Sequence, residues 1–237
     1  MRDIPSKLAL SAIFALAITF TFSCSGGGGD DPNGGTSSPS NGGGTSSPSG
    51  GGNSSGSNSG GGSCNISSYK NKKMPDGKTW MTENLNCKVA GSECYDKNES
   101  NCNTYGRLYT WESAKKACSG GWHLPDTTEW NALVTSVGGK ETAGKHLKAK
   151  EGWNSCGPTG SGKSYSCEDT YGFSALPGGI GYSDGHFNYV GSNGYWWSAS
   201  EYGSGYAYDR GMGYSSEGVY YDYSAKGGLF SVRCVQD

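Results

Sequence analysis

The stretch Gly121-Trp-His-Leu-Pro-Asp-Thr-Thr-Glu-Trp130 places a helix start in the middle of the chain. Asp126 followed three residues later by Glu129 fits a capping box, in which each side chain accepts from the other residue's backbone N–H. Beyond it Trp130, Leu133, Val134 and Val137 recur at helical spacing, so the helix offers one apolar face to a core. Gly138-Gly139 stops it, because glycine tolerates the left-handed backbone that closes a helix.

Working outward, Thr104 to Cys118 turns into a helix from about Tyr109, with Trp111, Ala114 and Cys118 spaced to share a face. Lys78-Thr-Trp-Met-Thr-Glu-Asn-Leu85 alternates enough for a strand, and a short helical turn is expected from Ala143 to Lys148. From there to Asp237, Gly, Tyr and Trp dominate, as in short strands joined by long loops.

The N-terminus reads differently. Residues 1–23 carry Arg2 and Lys7, then an apolar run from Leu8 to Phe22, then Ser23 ahead of Cys24. The run is short for a membrane span, which needs about 20 residues, and the pattern is that of an export signal. It resembles a bacterial lipoprotein signal, which implies that Cys24 becomes the lipidated first residue of the mature chain. The usual box has Leu three residues before the cysteine, where this chain has Thr21. Residues 24–63 follow as a tether: sixteen of the thirty-nine residues from Ser25 to Ser63 are Gly, with no aromatic or aliphatic side chain beyond Pro. Such a segment has nothing to bury and is expected to be disordered. Its span is roughly 35 Å on a flexible-coil estimate, so the domain 64–237 can stand clear of a membrane surface.

A formal net charge of −2 without a basic run excludes nucleic acid and an electrostatic grip on anionic lipid. After Cys24, eight cysteines remain, and in an exported domain an even number implies disulfides. Local spacing suggests Cys94 with Cys102 and Cys156 with Cys167, each closing a polar loop worth up to about 3 kcal/mol. A metal site is not expected: there is no C-x-x-C, and His123, His146 and His186 are scattered.

One segment suggests a nucleotide. Gly157-Pro-Thr-Gly-Ser-Gly-Lys-Ser164 fits the phosphate-loop pattern. A working phosphate loop follows a buried strand and opens a helix, whereas Trp153-Asn-Ser precedes this one and Tyr165-Ser-Cys-Glu-Asp follows. A domain outside the cytoplasm also meets little ATP. Turn chemistry is the expectation, with no cofactor.

Several blocks carry a resemblance. Met74-Pro-Asp-Gly-Lys-Thr-Trp-Met-Thr-Glu-Asn-Leu85, Tyr105-Gly-Arg-Leu-Tyr-Thr-Trp111, Gly121 to Trp130, Tyr171-Gly-Phe-Ser-Ala-Leu-Pro-Gly-Gly179, Tyr195-Trp-Trp-Ser-Ala-Ser-Glu201 and Phe230-Ser-Val-Arg-Cys-Val235 resemble the Fibrobacter succinogenes major paralogous domain, a family with no established activity. More distantly, Trp122 to Trp130 and Phe230 to Cys234 are similar to segments of formylglycine-generating and sulfatase-modifying domains. That second resemblance implies an α+β, C-type-lectin-like fold: two helices packed on small antiparallel sheets, loop-rich and stapled by disulfides. It also implies Cys118 paired with Cys234, which leaves Cys64 with Cys87. Closing so long a loop contributes near 5 kcal/mol in the chain-entropy model.

Catalysis finds little support. The redox cysteine pair of formylglycine-generating enzymes has no counterpart here, His186 reads as a turn residue, and Arg233 matches the family's closing motif. Binding has more: thirteen aromatic residues lie between Tyr182 and Tyr223. Tyr206, Tyr208, Arg210, Met212 and Tyr214 alternate with small residues and Asp209, so one strand face carries the large groups, and Ser215 to Gly218 reads as the turn into the next strand. Trp196 and Trp197 should split, one inward and one toward a groove. The expected binding residues are Trp196, Trp197, Tyr202, Tyr206, Tyr208, Asp209 and Arg210, taking a glycan or a cell-surface protein. The alternatives are a structural envelope component without a ligand and a degenerate enzyme of the formylglycine-generating kind. No calcium-lectin triplet is present.

Overall fold

The computed structural model describes residues 64–157 and 160–237. The signal peptide, Cys24 and the tether lie outside the described residues.

The chain runs through β1 (Asn71–Lys73), β2 (Thr79–Met81), β3 (Ser92–Glu93), α1 (Glu99–Tyr105), β4 (Leu108–Tyr109), α2 (Trp111–Ala117), α3 (Thr127–Ser136) and α4 (Ala143–Leu147). It continues through β5 (Cys156–Gly157), β6 (Tyr165–Ser166), β7 (Ile180–Gly181), β8 (Phe187–Asn188), β9 (Asn193–Glu201), β10 (Tyr206–Gly213), β11 (Tyr220–Ala225) and β12 (Val235–Gln236). Two three-stranded sheets, β1-β2-β12 and β11-β10-β9, are antiparallel, and three strand pairs stand beside them. The protein is therefore α+β with small sheets, short helices and disulfides.

The capping box forms as the sequence requires. Asp126 Oδ1 accepts from Glu129 N at 2.8 Å and Glu129 Oε2 accepts from Asp126 N at 2.9 Å. Trp130, Leu133 and Val134 turn inward, and Gly138 and Gly139 follow with φ of 115° and 82°. Trp80, Trp130 and Phe173 meet with centroids 4.9 to 6.2 Å apart and, with Trp196 and Met212, form one core. A second core joins α2 to Trp197 and Phe230, whose rings stack at 4.3 Å.

Arg233 is fully buried. Its guanidinium donates to Asn84 Oδ1 at 2.7 Å, to the carbonyls of Met81, Phe173 and Ser174 at 3.0, 2.6 and 2.7 Å, and lies 4.7 Å from the centre of the Phe173 ring. Burial lowers its pKa to about 9, which still leaves it cationic at neutral pH. It ties the last strand region to two distant segments, around Met81–Asn84 and Phe173–Ser174.

The disulfides are Cys64–Cys87, Cys94–Cys102, Cys118–Cys234 and Cys156–Cys167. Cys118, just past α2, is thereby fastened to the residue before β12.

Several expectations need correction. Four α-helices are present among the described residues rather than two. The unexpected α1 lies in the supposed polar loop of Cys94 and Cys102, and its sequence lacks an apolar stripe because Cys102 is its one buried residue. Asn98 caps it by accepting from Ser100 N. The helix expected from Tyr109 begins at Trp111, since Tyr109 pairs with Ser92 and exchanges hydrogen bonds through its hydroxyl with Cys87. The strand expected over Lys78–Leu85 is regular only to Met81; beyond it Thr82 N and Leu85 N donate separately to Lys70 O and Val232 O. One strand pair, β5-β6, is parallel.

Candidate functional site: a tyrosine groove over a buried arginine

The hairpin of β10 and β11 is held from below by α4. Lys148, fully buried, donates from Nζ to Gly213 O at 2.9 Å and to Ser216 O at 2.5 Å. Burial pulls its pKa down to about 8, partly offset by Glu217. Gly144 lies so close to the Gly218 carbonyl that a Cβ there would collide with it. The hairpin is thus a fixed platform.

Cross-strand partners share a face of a sheet. Arg210 pairs with Tyr221 and Trp196, and Tyr208 pairs with Tyr223, so these five point to the side where α3 packs. Asp209 pairs with Trp197 and Asp222 and points to the other side. The β9–β10 register shifts between Ala207 and Asp209, an irregularity of the kind that raises local twist and re-aims side chains.

Trp196 and Trp197 do face opposite ways, yet neither reaches a groove: both are 0 % exposed. The sheet is clad on both sides here. Trp196 enters the core of α3 and donates from Nε1 to Asn84 Oδ1 at 2.9 Å; Trp197 stacks on Phe230 and donates to Tyr109 O at 2.7 Å. They anchor the platform. The expectation that one of them contacts a ligand is withdrawn.

The tyrosines behave differently. A groove of about 360 Å³ opens between α3 and the hairpin, lined by Thr127, Asn131, Tyr208, Arg210, Tyr221, Asp222 and Tyr223. Tyr221 and Tyr223 are 40 % and 46 % exposed. Tyr202 and Tyr206 extend the aromatic surface: Tyr202 stacks on Tyr223 at 3.9 Å and meets Tyr208 edge-on at 5.3 Å, and Tyr206 meets Tyr223 edge-on at 6.1 Å. Such surfaces present flat apolar faces with polar rims.

Arg210 lines this groove while being only 2 % exposed. Nη1 donates to Asp209 O at 2.8 Å, Nη2 donates to Asn131 Oδ1 at 2.8 Å, and the guanidinium carbon stands 4.1 Å from the centre of the Tyr221 ring. Nε has no hydrogen-bond partner. Burial lowers its pKa, with Tyr221 and Asp209 opposing. No ion pair balances Arg210 among the described residues.

Asp209, expected as a ligand contact, is 1 % exposed behind the sheet, and its Oδ2 lacks a partner. Burial chiefly, then the charge of Asp222, raises its pKa to about 7 against the pull of Ser224 and Arg210. Its backbone carbonyl accepts from Arg210, and its charge reaches Arg210 only at longer range.

Asn131 and Thr127 were invisible to strand alternation, because they come from α3; the only signal was that the capping box places both in the helix's first two turns. Elsewhere, His123, Glu129 and Asp237 converge with metal-like spacing. Lys78 already fills that cluster, its Nζ pairing with Asp237 and standing 3.2 Å from Glu129 Oε1. Cys94 and Cys102, grouped with Glu99, are spent in a disulfide. In the phosphate-loop-like segment, Cys156 and Cys167 are bonded, β6 follows where a helix would be needed, and Lys163 Nζ contacts Asn154 O at 3.4 Å. Pro158 and Thr159 lie outside the described residues. His186 lies exposed beside Asp184 in a turn, as its sequence suggested.

The Fibrobacter succinogenes major domain model matches residues 76–236, well over half of the chain. The chain belongs to that family. The Fibrobacter major domain therefore includes the whole groove, the platform and Arg233, and leaves β1 and Cys64 ahead of it. No curated protein and no solved structure matches the chain.

Proposed function

We propose that this protein is an exported lipoprotein, anchored in the bacterial envelope through Cys24, that displays a non-catalytic, C-type-lectin-like domain for binding glycans. The observation that carries the reading is the groove itself: exposed tyrosine rings, stacked and fixed on a hairpin whose base is locked by Lys148. Sugar rings lay their C–H faces on aromatic side chains and exchange hydrogen bonds with polar neighbours, which Thr127 and Asn131 can supply. The lectin-like reading draws support from α2 and α3 packed beside the β9–β11 sheet and from the Cys118–Cys234 bridge between helix end and final strand. The described residues include no helix long and apolar enough to cross a membrane.

The cysteines favour binding over redox catalysis: all eight described cysteines sit in disulfides that join structural elements. A purely structural role has one observation in its favour, since Tyr202, Tyr206, Tyr208 and Tyr223 also satisfy one another. A glycan array and an insoluble-polysaccharide pull-down with the full chain separate these readings. Saturable binding that is lost in a folded Tyr221→Ala variant supports the lectin-like role; no binding by the folded protein contradicts it.

A further inference from the structure

Arg210 is a cation removed from water without a partner anion. Burying a charge is unfavourable unless opposite charge or a full set of hydrogen bonds compensates it. Arg210 has no ion pair, only the longer-range field of Asp209, and two of its five donors are used, both by neutral oxygens; Nε–H is unmatched and closed off from solvent, so an incoming anion meets the remaining Nη–H groups. Asp209 is its sequence neighbour, but that carboxyl points to the opposite face, where burial favours its neutral form. Among the described residues, the only acidic residue along the groove is Asp222, whose side chain belongs to the same face as Asp209, accepts from Tyr223 N and makes no ion pair with Arg210. Lys140, 5.7 Å from the Tyr221 ring, adds a second positive charge on the same side. The guanidinium is also held in place, clamped between Asn131 and the Tyr221 ring, so little freedom is lost when it takes a planar anion.

We infer that the groove is a receptor for acidic polysaccharide, with the carboxylate of a uronic-acid residue docking on Arg210 and its ring lying against Tyr221 and Tyr223. The inference rests on the glycan reading above and adds the charge of the ligand. A guanidinium matches a carboxylate in two parallel hydrogen bonds, and the flanking rings favour a pyranose over a flexible acidic peptide, which would use only the charge.

The test uses the full chain, immobilised polygalacturonate, its fully methyl-esterified form, and poly-glutamate. The ester keeps the sugar backbone and removes the charge. Binding to polygalacturonate should be at least tenfold tighter than to the ester, and the margin should shrink as salt rises. Asn131→Asp, an exposed substitution that gives Arg210 its own counter-ion 2.8 Å away, should abolish the margin while the melting curve stays intact. Arg210→Met should do the same. Equal binding to acid and ester would overturn the inference and leave the glycan reading standing. Binding to neither polysaccharide would overturn the inference, and no binding across the glycan array as well would overturn the glycan reading with it. Poly-glutamate binding as tight as polygalacturonate would overturn the inference in favour of an acidic protein partner.

Discussion

Arg233 and Arg210 are both buried guanidiniums lying against an aromatic ring, and they have been treated differently by the fold. Arg233 is enclosed by Asn84 and three backbone carbonyls from Met81, Phe173 and Ser174. Arg210 meets one carbonyl and one amide, the latter on an exposed residue of α3, and the ring above it is open to solvent. The first is a structural bolt whose donors are matched internally. The second is a charge whose matching is left to something outside the described chain. The contrast teaches that burial alone does not distinguish a scaffold cation from a recognition cation; the count of satisfied donors does.

Replacing each arginine should give the largest separation. Arg233→Met removes the donor to three backbone carbonyls and one of the two donors to Asn84 Oδ1, and is expected to cost about 5 kcal/mol. Arg210→Met should cost no more than about 1 kcal/mol, because one acceptor is exposed and an unmatched donor disappears with it. Urea denaturation of both variants checks this, and equal losses would erase the distinction.

Asp209 sharpens the comparison from behind the sheet. Its folded pKa of about 7 lies above its ordinary value of 3.8, so folding takes up a proton between those values. Its contribution is fully present below about pH 4 and is lost as the pH rises through 7. Asp209→Asn, which cannot ionise, should therefore gain up to about 4 kcal/mol over the parent at pH 8 relative to pH 4. A pH series of melting curves measures it. A gain that is the same at both pH values would show that Asp209 is solvated.

Much of the scaffold was legible in the sequence. The Asp126–Glu129 capping box, the stripe behind it and the Gly138-Gly139 stop are local features whose physics is complete within twenty residues. The hairpin turn between Tyr214 and Val219 was legible for the same reason. Trp196 and Trp197 were misread because alternation reports which side a residue faces and not what covers that side; here α3 covers one and Phe230 the other. Arg210 was singled out, but its significance depends on Asn131, seventy-nine positions away. Helix α1 escaped because a disulfide and a cap, rather than an apolar stripe, hold it.

The smallest effect concerns the helix that carries Asn131. Asp126→Ala removes one half of the capping box and should cost about 1 kcal/mol. It should weaken polygalacturonate binding by loosening the first turns of α3 beneath Asn131, with the Arg233 cluster undisturbed. Thermal denaturation and the binding assay together check both halves; unchanged binding would mean that Asn131 does not position Arg210.

The most direct measurement is to follow the guanidinium Nε–H resonances of Arg210 and Arg233 by ¹⁵N NMR while digalacturonate is added to the protein. The Arg210 signal should shift saturably and the Arg233 signal should stay in place. An Arg210 resonance that does not move while the ligand is bound elsewhere, or two resonances that move together, would contradict the view that one buried arginine is closed and the other awaits an acid.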